Sequence, residues 1–177
     1  MAGGAEVMSK IIVLDTSFLI ELFKIPMDSN QQLHDQAIVL LEDAIRNKYD
    51  IYCPVSVLYE LANHIVDIKS HEAQRSIAEK FTEMVLTSWH EKVPFIIIPG
   101  DMDDFETHGI ARLPELCNDY KTSIRQGLGL TDCTTIDTAR KLKASYTERL
   151  KRWPTHIWTL HRKLKAMEPD KFEHQSF

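Results

Sequence analysis

The stretch IIVLDTSFLI, residues 11–20, constrains this chain more than any other. Three β-branched residues and Leu14 run straight into Asp15, Thr16 and Ser17. An apolar run without alternation reads as a strand buried on both faces, the pattern of a parallel sheet held between helices. An acid at the end of such a strand is costly unless the strand tip opens onto a polar crevice. Ligand sites in open α/β sheets lie just outside the carboxyl ends of the strands. Asp15 is therefore a candidate site residue. It is equally suited to cap the helix that begins near Phe18, and on this segment alone both readings stand.

The rest of the chain repeats the strand–helix alternation. Residues 11–15 read as a first strand and 17–24 as a short helix stopped near Pro26. Residues 31–48 carry Leu33, Ala37, Leu40, Leu41 and Ala44 at helical spacing. IYCPV (51–55) reads as a second strand, with Ser56 as cap of the helix that carries Glu60. The stretch 72–90 sets Ala73, Ile77, Ala78, Phe81, Val85 and Trp89 on one side, a core-facing stripe. FIIIP (95–99) is a third strand, GDMDD an acidic turn, and the region to Gly129 is less regular. Residues 130–145 read as a helix capped by Thr131, and HIWTL (156–160) as a fourth strand. Helices between strands imply an α/β fold: three layers, α/β/α, around a mainly parallel sheet of four or five strands. The expected organisation is a flexible extension over 1–10, with Met8 as an alternative start. A single domain over 11–177 follows, elaborated at 100–130.

Composition narrows the class. The chain has 177 residues, 44% hydrophobic and 27% charged, ordinary values for a globular protein. Cys53, Cys117 and Cys133 are odd in number and form no C-x-x-C pair. This argues against a disulfide framework or zinc ribbon and suits a cytoplasmic location. No apolar run reaches a membrane span, and MAGGAEVMSK lacks the features of a signal peptide. The net charge of −5 hides an asymmetry: residues 140–171 hold ten of the 21 Lys and Arg against Glu148, Glu168 and Asp170. Such a section is either a solvated helix face or a phosphate-facing surface.

Three acids occupy equivalent places in this pattern. Asp15 ends the first strand, Glu60 lies in the opening turn after the second, and Asp132 opens the helix leading to the fourth. In a parallel sheet all three fall at the carboxyl edge. Converging carboxylates repel unless a cation neutralises them, and an all-oxygen set suits Mg²⁺ or Mn²⁺ better than Zn²⁺.

At this point the sequence resembles a known family. VLDTSFLIELF is similar to the opening motif of PIN-domain nucleases, and PVSVLYELANHI to their second motif, with Glu on the helix after strand two. LGLTDCTTIDTARKL resembles the third, an Asp starting a helix with an alanine (Ala139) seven places on, and IWTLHRKL the fourth. The four motifs in order cover about residues 11–165. The resemblance implies that Asp15, Glu60 and Asp132 hold a divalent metal, Mg²⁺ or Mn²⁺, and that Ser17 or Thr16, and Thr159, support a carboxylate or a ligating water. It implies a metal-dependent endoribonuclease, with RNA or single-stranded DNA as substrate. A homodimer and an antitoxin or other inhibitory protein are candidate partners. Arg140, Lys141, Lys143, Arg162 and Lys163, with the 149–152 group, would hold flanking phosphates. The departure is His161, which stands where the family usually has an acid. Asp137, rotated around the helix from Asp132, is an imperfect substitute, and Glu168 and Asp170 lie in the tail.

Two competing readings remain at the level of sequence. A PIN-like module that binds RNA or protein without turnover would also explain His161. A phosphotransferase of the haloacid dehalogenase type also begins from a strand-ending Asp, but Ser17 breaks its D-x-D pattern. Among the other histidines, His64 is placed to share the helix face of Glu60. Trp158 is expected in the core and Trp153 against a loop.

Overall fold

A computed structural model describes residues 9–101, 104, 108, 110–171 and 177. The expected extension therefore lies outside the described residues up to position 8, and GDMDD is described at Gly100, Asp101 and Asp104 alone. Strand β1 (Ile11–Leu14) leads into α1 (Thr16–Leu22) and α2 (Gln31–Arg46). Strand β2 (Asp50–Pro54) is followed by α3 (Val55–Val66) and α4 (His71–Glu91), then β3 (Ile96–Ile98). Beyond these come α5 (Leu113–Ser123), α6 (Leu130–Glu148), β4 (Thr155–Trp158) and the single-turn α7 (Arg162–Lys165).

The sheet is four-stranded and wholly parallel, in the order β3-β2-β1-β4. Side chains alternate across β1, and that alternation makes the three layers. Ile12 and Leu14 join the larger core, which Phe18, Leu41, Leu61 and Ile77 fill from α1 to α4. Ile11 and Val13 face the smaller core, filled by Ile136, Ala139 and Leu142 of α6. All four β1 side chains are fully buried, and each contributes roughly 1.5–3 kcal/mol by leaving water. This explains why β1 shows no polar alternation in the sequence.

The connections decide where a site can form. The chain steps outward from β1 to β2 to β3, then recrosses to lay β4 on the other flank of β1. The order reverses beside β1, and a crevice opens at such a reversal, outside the carboxyl ends of the strands. Asp15 and Thr159 lie directly after the two strands that border it.

Several local expectations are corrected. The region before Gly129 contains α5, flanked by 3-10 turns at Ile110–Arg112 and Ile124–Gln126. Gly129, not Thr131, occupies the N-cap of α6. Pro54 occupies the N-cap of α3, while the buried Ser56 hydroxyl has no hydrogen-bond partner. The α4 stripe packs inward at Ala73, Ile77, Ala78, Phe81 and Val85, but Trp89 near the helix end is 54% exposed. Trp158 is buried in a ring cluster with Phe18, and Trp153 packs against Tyr146.

The tail folds back along the outer edge of β4. Thr155 N–H donates to Asp170 Oδ2 at 2.8 Å, and Asp170 N–H donates to the Thr155 carbonyl at 3.2 Å. Ile157 N–H donates to Glu168 Oε2 at 3.0 Å, and Lys165 Nζ donates to the Ile157 carbonyl at 3.0 Å. Among the described residues no helix is long and apolar enough to cross a membrane.

Candidate active site

Asp15 sits at the end of β1 with extended backbone and is 5% exposed. It does cap α1: Ser17 N–H donates to its Oδ2 at 3.3 Å. The same oxygen also accepts the Ser17 hydroxyl at 2.7 Å and the Thr159 hydroxyl at 2.8 Å. Both hydroxyls are themselves fixed from behind. Ser17 Oγ accepts from Leu160 N–H at 2.9 Å, and Thr159 Oγ1 accepts from His161 N–H at 3.0 Å. The loop leaving β4 is thus tied to the first turn of α1 across the crevice.

The other two acids are held in the same manner. Thr16 donates its hydroxyl to Glu60 Oε2 at 2.7 Å, joining α1 to α3. Gly129 N–H donates to Asp132 Oδ2 at 2.6 Å. This is one half of a capping box, since glycine has no side chain to complete it. A continuous string therefore runs through the crevice from Glu60 to Thr16, to the adjoining Asp15, to Thr159, to the His161 backbone. His161 closes it, with Nδ1 3.9 Å from Asp132 Oδ1.

Each acid consequently has one oxygen engaged and one left over. Among the described residues, Asp15 Oδ1 and Glu60 Oε1 accept no hydrogen bond, and Asp132 Oδ1 has only the His161 approach. The Asp132 carboxyl is pushed above its ordinary range, first by burial and then by the like charges of Asp15 and Glu60. The Gly129 amide and His161 oppose that shift. Burial and then the Asp15 charge push the Cys53 thiol up, and burial first does the same to Cys133. Cys53 is sealed in the larger core, and the side chains linked through the crevice are carboxylates and hydroxyls with the His161 imidazole beside Asp132. Among the described residues, no group of three or more His, Cys, Asp or Glu side chains is arranged to hold a metal ion.

The remaining candidates scatter. Asp137 lies on α6 in a salt bridge with Arg112, 3.0 Å, which pins the 3-10 turn before α5. Lys143 Nζ is committed to Asp170 at 2.7 Å and to the Trp153 carbonyl at 3.0 Å. Arg162 and Lys163 are exposed directly after His161, and Arg140 is exposed further along α6 with Lys141 half-buried beside it. His64 pairs with Asp28 at 3.1 Å rather than with Glu60. Glu168 and Asp170 serve the β4 edge and not the crevice. The Gly129 amide is the part of the site that sequence reasoning missed. Its signal was the G-x-x-D spacing at a helix start, read there as a Thr cap. No protein-family model and no curated protein matches the chain.

Proposed function

We propose that this protein is a divalent-metal-dependent nuclease of the PIN type, hydrolysing phosphodiester bonds in RNA. The observation that carries this reading is the electrostatic meeting of Asp15, Glu60 and Asp132, each with an oxygen to spare. Asp15 borders the crevice where the strand order reverses, the place where open α/β sheets bind ligands; Thr16, next to it, holds Glu60, and both acids act electrostatically on Asp132. The chemistry of the donors fits a hard divalent cation: spare carboxylate oxygens, and like charges whose repulsion a cation relieves. Mg²⁺ or Mn²⁺ at these three residues would lower the pKa of water and offset charge building on a scissile phosphate.

The chain's own groups have definable tasks. Ser17 and Thr159 occupy Oδ2 of Asp15 and leave Oδ1 for a ligand, and Thr16 does the same for Glu60 by occupying Oε2. The Gly129 amide holds Asp132 from behind. Arg162 and Lys163, exposed beside the crevice, supply sequence-blind attraction for the phosphate backbone. Labelled RNA incubated with Mn²⁺, with Mg²⁺ and with EDTA tests the reading. Products that need the ion and vanish in Asp15→Asn are expected; cleavage persisting in EDTA or in that variant overturns it.

A second reading has one observation in its favour. Protonated His161 would place a cation 3.9 Å from Asp132 and offset part of the acidic charge without a metal. A PIN-like module that binds RNA without turnover follows from that arrangement. RNA binding that survives EDTA and yields no products with either ion would favour it over the nuclease.

A further inference from the structure

The basic residues near the C-terminal third are not all beside the crevice. Helix α6 starts there, with Asp132, and ends where Tyr146 donates its hydroxyl to Asp50 at the beginning of β2. Arg149 follows Asp132 by seventeen residues, about 25 Å along a helix that rises 1.5 Å per residue. Arg149, Lys151 and Arg152 therefore lie at the amino pole of the sheet, opposite the acids. The 149–152 group, expected to hold flanking phosphates, therefore lies away from the crevice.

Other cations join them at that pole. The Pro154 carbonyl accepts from Ile11 N–H, and the Lys10 carbonyl from Asp50 N–H, both at 2.9 Å. Ser9 Oγ donates to the Lys48 carbonyl at 3.1 Å. Lys48, Lys10 and Arg152 thus precede three neighbouring strands, spaced about 4.8 Å apart. Arg149 is close enough to act on the Tyr52 hydroxyl electrostatically. The acids at this pole are Asp50, which accepts the neutral Tyr146 hydroxyl, Glu148, and Asp170, which is paired with Lys143; Lys10, Lys48, Arg149, Lys151 and Arg152 outnumber them. Lys48, Arg149, Lys151 and Arg152 are exposed, and none makes an ion pair among the described residues. Against a chain of net charge −5, this pole has the opposite sign.

We propose that the amino pole is a docking surface for the sugar–phosphate backbone of single-stranded RNA, separate from the crevice. A membrane surface would draw on outward-facing aromatic rings beside the cations. Here Trp153 and Tyr146 pack on each other, centroids 5.4 Å apart, with Lys151 Nζ 4.6 Å from the Trp153 ring. The surface does not depend on the crevice chemistry, so an RNA can be anchored by a chain that does not cut it.

The test is fluorescence polarisation of a labelled 20-nucleotide oligouridine with the full chain, in EDTA, over a range of salt. Lys48→Ala, Arg149→Ala and Arg152→Ala combined should reduce the log–log salt slope by about 2, since each phosphate contact on a single strand contributes roughly 0.7. At about 0.1 M salt the same arithmetic gives a roughly 100-fold loss of affinity. Arg162→Ala with Lys163→Ala should cost less. Arg149→Gln and Arg152→Gln singly, about five-fold each, replace the triple variant if its thermal melt is altered. The proposal is overturned if the wild-type chain shows no salt-sensitive binding, or if the charge variants bind as tightly as wild type. A greater loss from the Arg162 and Lys163 pair, or tighter binding to phosphatidylserine vesicles than to RNA, also overturns it.

Discussion

Replacing Ser17 by Ala should weaken the fold out of proportion to the size of one hydroxyl. The Ser17 hydroxyl donates to the Asp15 carboxylate at 2.7 Å and accepts from Leu160 N–H at 2.9 Å. The first bond is to a charged acceptor, worth about 1.5–3 kcal/mol, and losing the second strands a half-buried amide at about 1–3 kcal/mol. Ser17 is only half-buried, so water replaces part of both, and Ala is the better helix former by a few tenths of a kcal/mol. The net expectation is a loss of about 2–3 kcal/mol. With a urea slope near 2 kcal/mol/M, this moves the midpoint by about 1 M. Urea titration followed by tryptophan fluorescence reads it, because Trp158 is buried two residues before Leu160. The cost of Ser17→Ala should shrink when Asp15→Asn is already present, since both act on one oxygen. A midpoint shift below about 0.2 M, or full additivity with Asp15→Asn, would refute the claim that this hydroxyl ties α1 to the β4 loop.

Asp132→Asn should hold or raise stability, because the Asn oxygen can still accept from Gly129 while the repulsion from Asp15 and Glu60 disappears. The sign follows from linkage. A carboxyl whose folded pKa is raised binds more protons in the native state, so the wild type loses stability as pH climbs from the ordinary carboxylate range through that raised value. The variant should lack this loss, and thermal melts between about pH 4 and 8 check it; parallel pH profiles would remove the electrostatic argument. Leu150 is 90% exposed at φ 62°, a left-handed position just past α6. Leu150→Gly should therefore raise stability by up to about 1 kcal/mol, read as a higher melting temperature, and a lower one would count against it.

How much was legible in the sequence varied with how many signals each element carried. β1 was read correctly because both of its faces are buried, which removes every polar residue from the run. Asp15 and Asp132 were legible as carboxyl-edge acids because one directly follows a strand and the other opens a helix, whereas Glu60 lies in the second turn of α3, not the opening turn the sequence suggested. Helix α5 was missed because Leu116 is its one buried residue, too thin a stripe to show a period. Trp89 fits the helical spacing of α4, but in the last turn the inward position belongs to Ser88, 1% exposed, and Trp89 beside it stays out. The Gly129 cap was invisible to a search for capping side chains, since the group that matters is a backbone amide. The basic run over 140–171 reads as one feature in the sequence and is divided by the fold. Helix α6 carries its two ends to opposite poles, and Lys143 and Lys165 turn inward to structural partners.

The tail along β4 has a consequence for how the molecule meets its own kind. The outward N–H groups of Thr155 and Ile157 are answered by two carboxylates, and their carbonyls by a backbone amide and a lysine. Residues 165–170 thus act as a counterfeit fifth strand, composed mostly of side chains and impossible to extend. An open edge is a template for another chain's strand; here the template is already filled, so the sheet ends at β4. Losing Glu168 and Asp170 would uncover two amides at once and turn a closed border into an adhesive one.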